Sequence, residues 1–221
     1  AMSQIKIDST QSCVSSRSMA VYGDRGSAVV LSASPDGLTA VDGGIARVIS
    51  DNIWTRDQWQ ALNPTTMIGV ICEGRYCGFT STNTIIFPLT ASSGKKPVTT
   101  DETCTGAYSD LQTDLLYMIQ GSNIKSWNTG SGKKTIVWKS KKFKSVRRMS
   151  FSVIRVRAES YTGNIVTCKI YGNGSLYATM TLANDVARLL PEMRDETIWE
   201  YQIESSSDVY EVLLSTSMND L

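Results

Sequence analysis

The sequence predicts an all-β protein: propeller-like or meander β-hairpin units with one short helix, then a seven-stranded antiparallel β-sandwich. Three observations carry that reading. Short runs of β-branched and aromatic residues recur from end to end, each bounded by Gly, Pro, Asn or Asp. One segment alone carries strong helix-start chemistry. A polar stretch, Asn128-Thr129-Gly130-Ser131-Gly132-Lys133-Lys134, reads as a linker and separates a first domain, 1–130, from a second, 131–221.

In the first domain, Ser27 to Ser32 is a strand, Ser34-Pro35-Asp36-Gly37 a tight turn and Leu38 to Val41 the return strand. Asp42-Gly43-Gly44 turns the chain into Ile45 to Ile49. A comparable unit runs Ile68 to Cys72, Tyr76 to Thr80 and Thr84 to Leu89, and a third runs Leu115 to Ile119 and Ile124 to Trp127. Aligned on their turns, the hairpins begin near Val29, Ile68 and Leu115, 39 and 47 residues apart. That spacing fits propeller blades, although three units fall short of a ring of roughly 4–8. An ordinary meander stays open beside it.

The helix is expected over Thr55 to Leu62. Thr55 fits the N-cap and Gln58 the N3 position of a capping box, in which each side chain satisfies an orphan backbone donor. Trp54 and Trp59 occupy the staple positions N′ and N4, and Asn63-Pro64 stops the helix.

In the second domain the expected strands are Thr135 to Trp138, Phe151 to Ala158, Ile165 to Tyr171, Leu176 to Leu182, Val186 to Leu190, Ile198 to Ile203 and Val209 to Leu214. Asn173-Gly174 is the best two-residue hairpin turn, because type I′ geometry requires positive φ at both positions. Seven strands in under 90 residues is a sandwich pattern.

Composition bounds the chemistry. The 221 residues include 22 basic and 21 acidic side chains, so no global field draws the chain to nucleic acid or membrane. No apolar run approaches the roughly 20 residues that span a bilayer as a helix. Ala1-Met2 reads as the remnant of a cleaved tag. Histidine is absent, which excludes Ser-His-Asp and Cys-His nucleophile systems and every histidine-containing metal site. Five scattered cysteines argue against a disulfide framework and for a reducing cytosol.

Candidate sites are few. If Gly74-Arg75 is a two-residue turn, Cys72 faces Cys77, as a disulfide, half a thiolate metal knuckle, or two small apolar strand residues. A basic run holds Lys133, Lys134, Lys139, Lys141, Lys142, Lys144, Arg147 and Arg148 with no acidic residue among them, and Trp138 and Phe143 interleave. The binding candidates are Lys139, Lys141, Lys142, Lys144, Arg147 and Arg148. They read as a solvated, edge-protecting face, a protein interface, or a phosphate-binding surface. Acidic clusters at Asp101-Glu102, Glu192 and Asp195-Glu196 sit in expected loops, and no catalytic pair, metal site or cofactor is assigned.

Several stretches resemble a family of tailed-phage and prophage virion proteins that build the tail hub or nozzle. They are Ser34-Pro35-Asp36-Gly37-Leu38, Trp54 through Pro64, Glu73-Gly74-Arg75-Tyr76, Trp138 through Phe143, and the terminal strand with Ser217 and Asp220-Leu221. The resemblance implies a virion structural role, a propeller-like region ahead of a sandwich, and assembly into a ring in the host cytoplasm. It also implies a longer family protein with further N-terminal blades. It carries over no functional residue, since the shared motifs are turn, cap and strand features. The expected function is therefore non-enzymatic, through contacts with other phage tail proteins and with copies of the chain itself. A host-surface carbohydrate or receptor-binding module is the alternative, with a surface glycan as partner, and a depolymerase stands third. Membrane insertion and nucleic-acid binding are not expected.

Overall fold

The structure, a computed structural model, describes residues 11–24, 27–89, 97–130, 132–163, 166–192 and 194–220. It is all-β with antiparallel sheets, and divides into two compact units, residues 1–129 and 130–221.

The first unit is three successive up-and-down meanders. Strands β1 (Ala20–Asp24), β2 (Ser27–Ala33), β3 (Leu38–Asp42) and β4 (Ile45–Val48) make the first sheet in chain order. Strands β5 (Ile68–Cys72), β6 (Arg75–Phe79), β7 (Thr84–Pro88) and β8 (Val98–Thr100) make the second, and β9 (Gly106–Asp110), β10 (Leu115–Gln120) and β11 (Asn123–Ser126) the third. The first strands are neighbours, β1 beside β5 and β5 beside β9.

Side chains alternate along β6 so that both faces of the second sheet are buried. Tyr76 joins Leu31, Leu38, Trp59 and Ile85 in a core shared with the first sheet, while Cys77 and Phe79 join Leu116 and Met118 in a core shared with the third. Each fully buried side chain of this size contributes about 1.5–3 kcal/mol relative to exposure. The one α-helix among the described residues, α1 (Arg56–Ala61), has the expected capping box: the Gln58 N–H donates to Thr55 Oγ1 at 3.3 Å, and the Thr55 N–H donates to Gln58 Oε1 at 3.0 Å. Trp54 packs on Trp59 at 5.7 Å, and Asn63 takes a left-handed φ of 54° that ends the helix.

The second unit is a sandwich of eight strands. These are β12 (Ile136–Lys139), β13 (Phe143–Met149), β14 (Val153–Ala158), β15 (Val166–Gly172), β16 (Ser175–Leu182), β17 (Arg188–Leu189), β18 (Glu196–Ser205) and β19 (Val209–Ser215). One sheet runs β12-β18-β15-β16 with β13 also on β18, and the other runs β17-β14-β19. Ile154, Val156, Cys168, Ile170, Trp199 and Ile203 fill the space between them. Asn173 and Gly174 turn with φ of 48° and 86°, the type I′ signs.

Four expectations are corrected. The sandwich has an eighth strand, β13, because β18 is ten residues long and pairs with β12 at one end and β13 at the other. The expected strand Val186 to Leu190 pairs only over Arg188–Leu189, and Ile165 lies outside the described residues. The three hairpins aligned on their turns are not all equivalent, since β2–β3 and β10–β11 are the second and third strands of their meanders whereas β5–β6 are the first and second. Finally, the left-handed pair at the β5–β6 turn is Glu73-Gly74, with φ of 49° and 69°, so Cys72 pairs with Arg75 and Cys77 with Val70.

Candidate functional site

The basic run forms one edge of the five-stranded sheet. Ser140 fixes the crossing from β12 to β13: its N–H donates to the Tyr201 carbonyl at 2.8 Å, and its Oγ accepts from the Tyr201 N–H at 3.0 Å. That pair of hydrogen bonds holds both strands on the same side of β18, one after the other.

The candidate cations then separate. Lys139 points to the outer face, where its Nζ lies 3.7 Å from Glu200 and 4.2 Å from the Tyr171 ring centre. Lys141 reaches over the Phe143 ring at 5.6 Å, and Lys144 lines a depression beside it. Lys142 is exposed in the connecting loop, and Arg147 and Arg148 are exposed where β13 loses register with β18.

The aromatic residues interleaved with these cations face inward. Trp138 pairs with Ile203, and Phe143 with Trp199, so both project from the same face as two core residues. Yet Ile136, Trp138 and Phe143 remain 55%, 48% and 44% exposed. The cause is the second sheet, which among the described residues ends at β19 before covering β12 and β13. Partly buried Tyr201 lies beside the exposed rings, 5.5 Å from Trp138 and stacked on Phe143 at 6.1 Å.

Two depressions result, about 370 and 290 Å³, adjoining at Tyr201 and Val212. Val209, Tyr210, Glu211 and Val212 line the larger one consecutively, so it runs along the backbone edge of β19 as well as beneath its side chains. Tyr210 sits in a bulge, between the Val209–Ala158 and Glu211–Arg157 pairs, which leaves its ring outside the ladder and exposed.

A second surface lies on the first unit. Tyr117 pairs with Tyr108, and Ile119 with Gly106 and Ile124, on the face of the third sheet opposite Leu116 and Met118. That face holds an open depression of about 470 Å³ in which Tyr108 and Ile124 are 65% and 74% exposed. The first sheet has a matching outer row of Val21, Val30, Val41 and Ala46. Sequence reasoning missed both faces, although the uninterrupted apolar run Leu115-Leu116-Tyr117-Met118-Ile119 signals a strand covered on two sides.

The remaining candidates have local roles. Cys72 and Cys77 are free thiols in the core between the second and third sheets, and burial pushes the Cys77 thiol up to about 12. Glu196 accepts from the Tyr177 hydroxyl at 2.5 Å and from Asn173, steadying the β15–β16 turn. Glu102 accepts from the Gln120 side chain at 2.6 Å. Among the described residues, no group of three or more Cys, Asp and Glu side chains is placed to hold a metal ion. Among the described residues, no helix is long and apolar enough to cross a membrane.

A scan of protein-family models found none that matches the chain, and a search of curated proteins found no match either.

Proposed function

We propose that this chain is a non-enzymatic structural component of a phage tail, acting through protein–protein interfaces with copies of itself and with neighbouring tail proteins. The observation that carries the interface part is the outer face of the third sheet. Within the first unit, the second sheet has apolar residues on both faces and both are covered. The first and third sheets also carry apolar residues on a second face, where, among the described residues, Val21 and Val30 of the first and Tyr108 and Ile124 of the third are exposed. A contiguous uncharged patch of this kind marks an interaction site. Covering it with the first-sheet face of a second copy is a head-to-tail contact, the type that closes into rings. Three meanders with neighbouring first strands also suit blades of a propeller.

The virion placement rests on the sequence resemblance. Antibody to this chain, applied to virions released by the strain that encodes it, should label the tail in electron micrographs. Particles free of the chain by both labelling and mass spectrometry would refute the placement.

The exposed rings of Trp138 and Phe143, with Tyr201 between them, favour a second reading, host-surface carbohydrate binding, since sugars stack on aromatic faces. Saturable binding of bacterial polysaccharide by a monomeric chain would establish it in place of the first.

A further inference from the structure

One end of the first unit gathers polar side chains from five separate segments around a depression of about 500 Å³. We infer that this depression is a binding site for a small carboxylate-bearing sugar, with Arg17 taking the carboxylate. The site goes beyond the interface reading above. It uses neither the outer sheet faces nor the Trp138 rings, and can fail without them.

The topology assembles it. The segments leading into β5 and β9 bring Thr66 and Thr103 to Thr105, the β6–β7 turn brings Thr80 and Ser81, and the end of β10 brings Gln120. Connections gathered at one end of packed sheets are where binding residues commonly sit. Its floor is the end of the core between the second and third sheets, to which Ile68 and Cys104 belong.

Arg17, the fifth contribution, lies in a short 3₁₀ turn, Ser16–Ser18, that three hydrogen bonds tie down. Ser15 Oγ donates to the Met67 carbonyl at 2.7 Å, the Tyr76 hydroxyl donates to the Ser18 carbonyl at 2.7 Å, and Arg17 Nη2 donates to the Thr105 carbonyl. A guanidinium carries further N–H donors beyond that one bond. Among the described residues Arg17 has no carboxylate partner, and no Asp or Glu lines the depression. The neighbouring acid, Glu102, accepts from Gln120 Nε2 at 2.6 Å. An anchored arginine without an acid matches an incoming carboxylate, which its planar fork can grip through two parallel bonds.

The remaining lining selects the kind of acid. Thr66, Thr80, Ser81, Thr103 and Thr105 all present hydroxyls, and among the described residues those of Ser81 and Thr103 have no protein partner. A hydroxyl both donates and accepts, as a sugar hydroxyl does. Gln120 commits its amide hydrogens to Glu102 and, at 3.0 Å, to the Thr103 carbonyl, which leaves its side-chain oxygen as an acceptor. The volume lies within the range of small-molecule sites, roughly 300–1,000 Å³. A phosphate monoester carries nearly two negative charges at neutral pH and calls for several cations, whereas one arginine balances one carboxylate.

The test titrates the isotope-labelled full chain with galacturonate, glucuronate and N-acetylneuraminate, beside galactose, acetate and inorganic phosphate as controls. At least one sugar acid should bind saturably, about tenfold or more tighter than every control, and more weakly in high salt. Binding should shift the amide NMR signals of Thr80, Ser81, Thr103 and Thr105. Arg17→Gln, at an exposed position, should weaken it about tenfold or more with thermal unfolding unchanged, and Arg17→Lys should restore it only in part. Combining Ser81→Ala with Thr103→Val should weaken it several-fold while keeping the Arg17 anchor, and Trp138→Ser should leave it unchanged. Failure of all three sugar acids would overturn the proposal. Acetate binding as tightly would overturn it in favour of a bare carboxylate, such as a partner protein's side chain, and phosphate binding as tightly in favour of a simple anion site. Galactose binding as tightly, or full binding by Arg17→Gln, would refute the role of Arg17. Loss on Trp138→Ser would move sugar binding to the sandwich.

Discussion

Replacing Trp59 with Phe should destabilise the first unit by about 2–4 kcal/mol, and the structure shows where that figure originates. The Trp59 indole is 1% exposed, and its Nε1–H donates to the Ser34 carbonyl at 2.9 Å. Phe keeps an aromatic ring in the staple with Trp54 but has no donor. A buried acceptor left unpaired costs about 1–3 kcal/mol. The smaller ring also vacates roughly 40 Å³, which adds ~1 kcal/mol at about 24 cal/mol per Å³ of cavity. The loss should be local to the first core, because Trp59 ties α1 to the β2–β3 turn, whose Ser34 N–H donates to the Gly37 carbonyl at 2.9 Å. Hydrogen–deuterium exchange with mass spectrometry under increasing urea suits the question, since peptides from residues 27–42 and 166–182 report the two units separately. Faster exchange in the first peptide with the second unchanged is expected. A variant within about 0.5 kcal/mol of wild type, the usual range for a surface substitution, would refute the reasoning.

Other outcomes follow from single features. Gly174→Ala should cost about 1–2 kcal/mol through backbone strain alone, because φ is 86° and an added Cβ meets nothing within 4 Å; chemical denaturation with the same substitution at Gly132, also in open space and without a positive φ, supplies the control. Burial raises the Cys77 and Cys168 thiols to about 12, so both stay protonated at mildly alkaline pH. Iodoacetamide followed by mass spectrometry should modify exposed Cys13 first and leave those two until the chain unfolds. Early modification of Cys168 would contradict its place in the sandwich core.

Which parts of the fold were legible in the sequence depended on local chemistry. The α1 start was readable because Thr55, Gln58, Trp54 and Trp59 each occupy a position with its own physical role, and all four meet there. Asn173-Gly174 was readable because few residue pairs accept two positive φ values. The β5–β6 turn was misplaced by one residue because Glu73 adopts a positive φ, which its residue type does not advertise. Strands β1 and β9 escaped notice because Ala20-Val21-Tyr22-Gly23-Asp24 and Gly106-Ala107-Tyr108-Ser109-Asp110 carry Gly, Ala and Asp, residues depleted in strands. Pairing with β2 and β10 overrides those preferences.

The candidate site was half legible. The cations and their aromatic neighbours stood out in the sequence, and β13 was obscured by the charges of Lys144, Arg147 and Arg148. What no local pattern shows is that the opposing sheet stops at β19. That absence of cover turns Trp138 and Phe143 from core residues into surface, and it depends on strand order.

The central claim, that this chain works through interfaces between its own copies, is tested most directly by light scattering on the size-exclusion peak. Wild type and Ile124→Lys would be compared across a range of concentrations at low and high salt. The account predicts a defined wild-type oligomer that persists in high salt, as an apolar contact should, and a folded monomer for the variant. A wild-type monomer at every concentration, or an oligomer indifferent to the lysine, would contradict it.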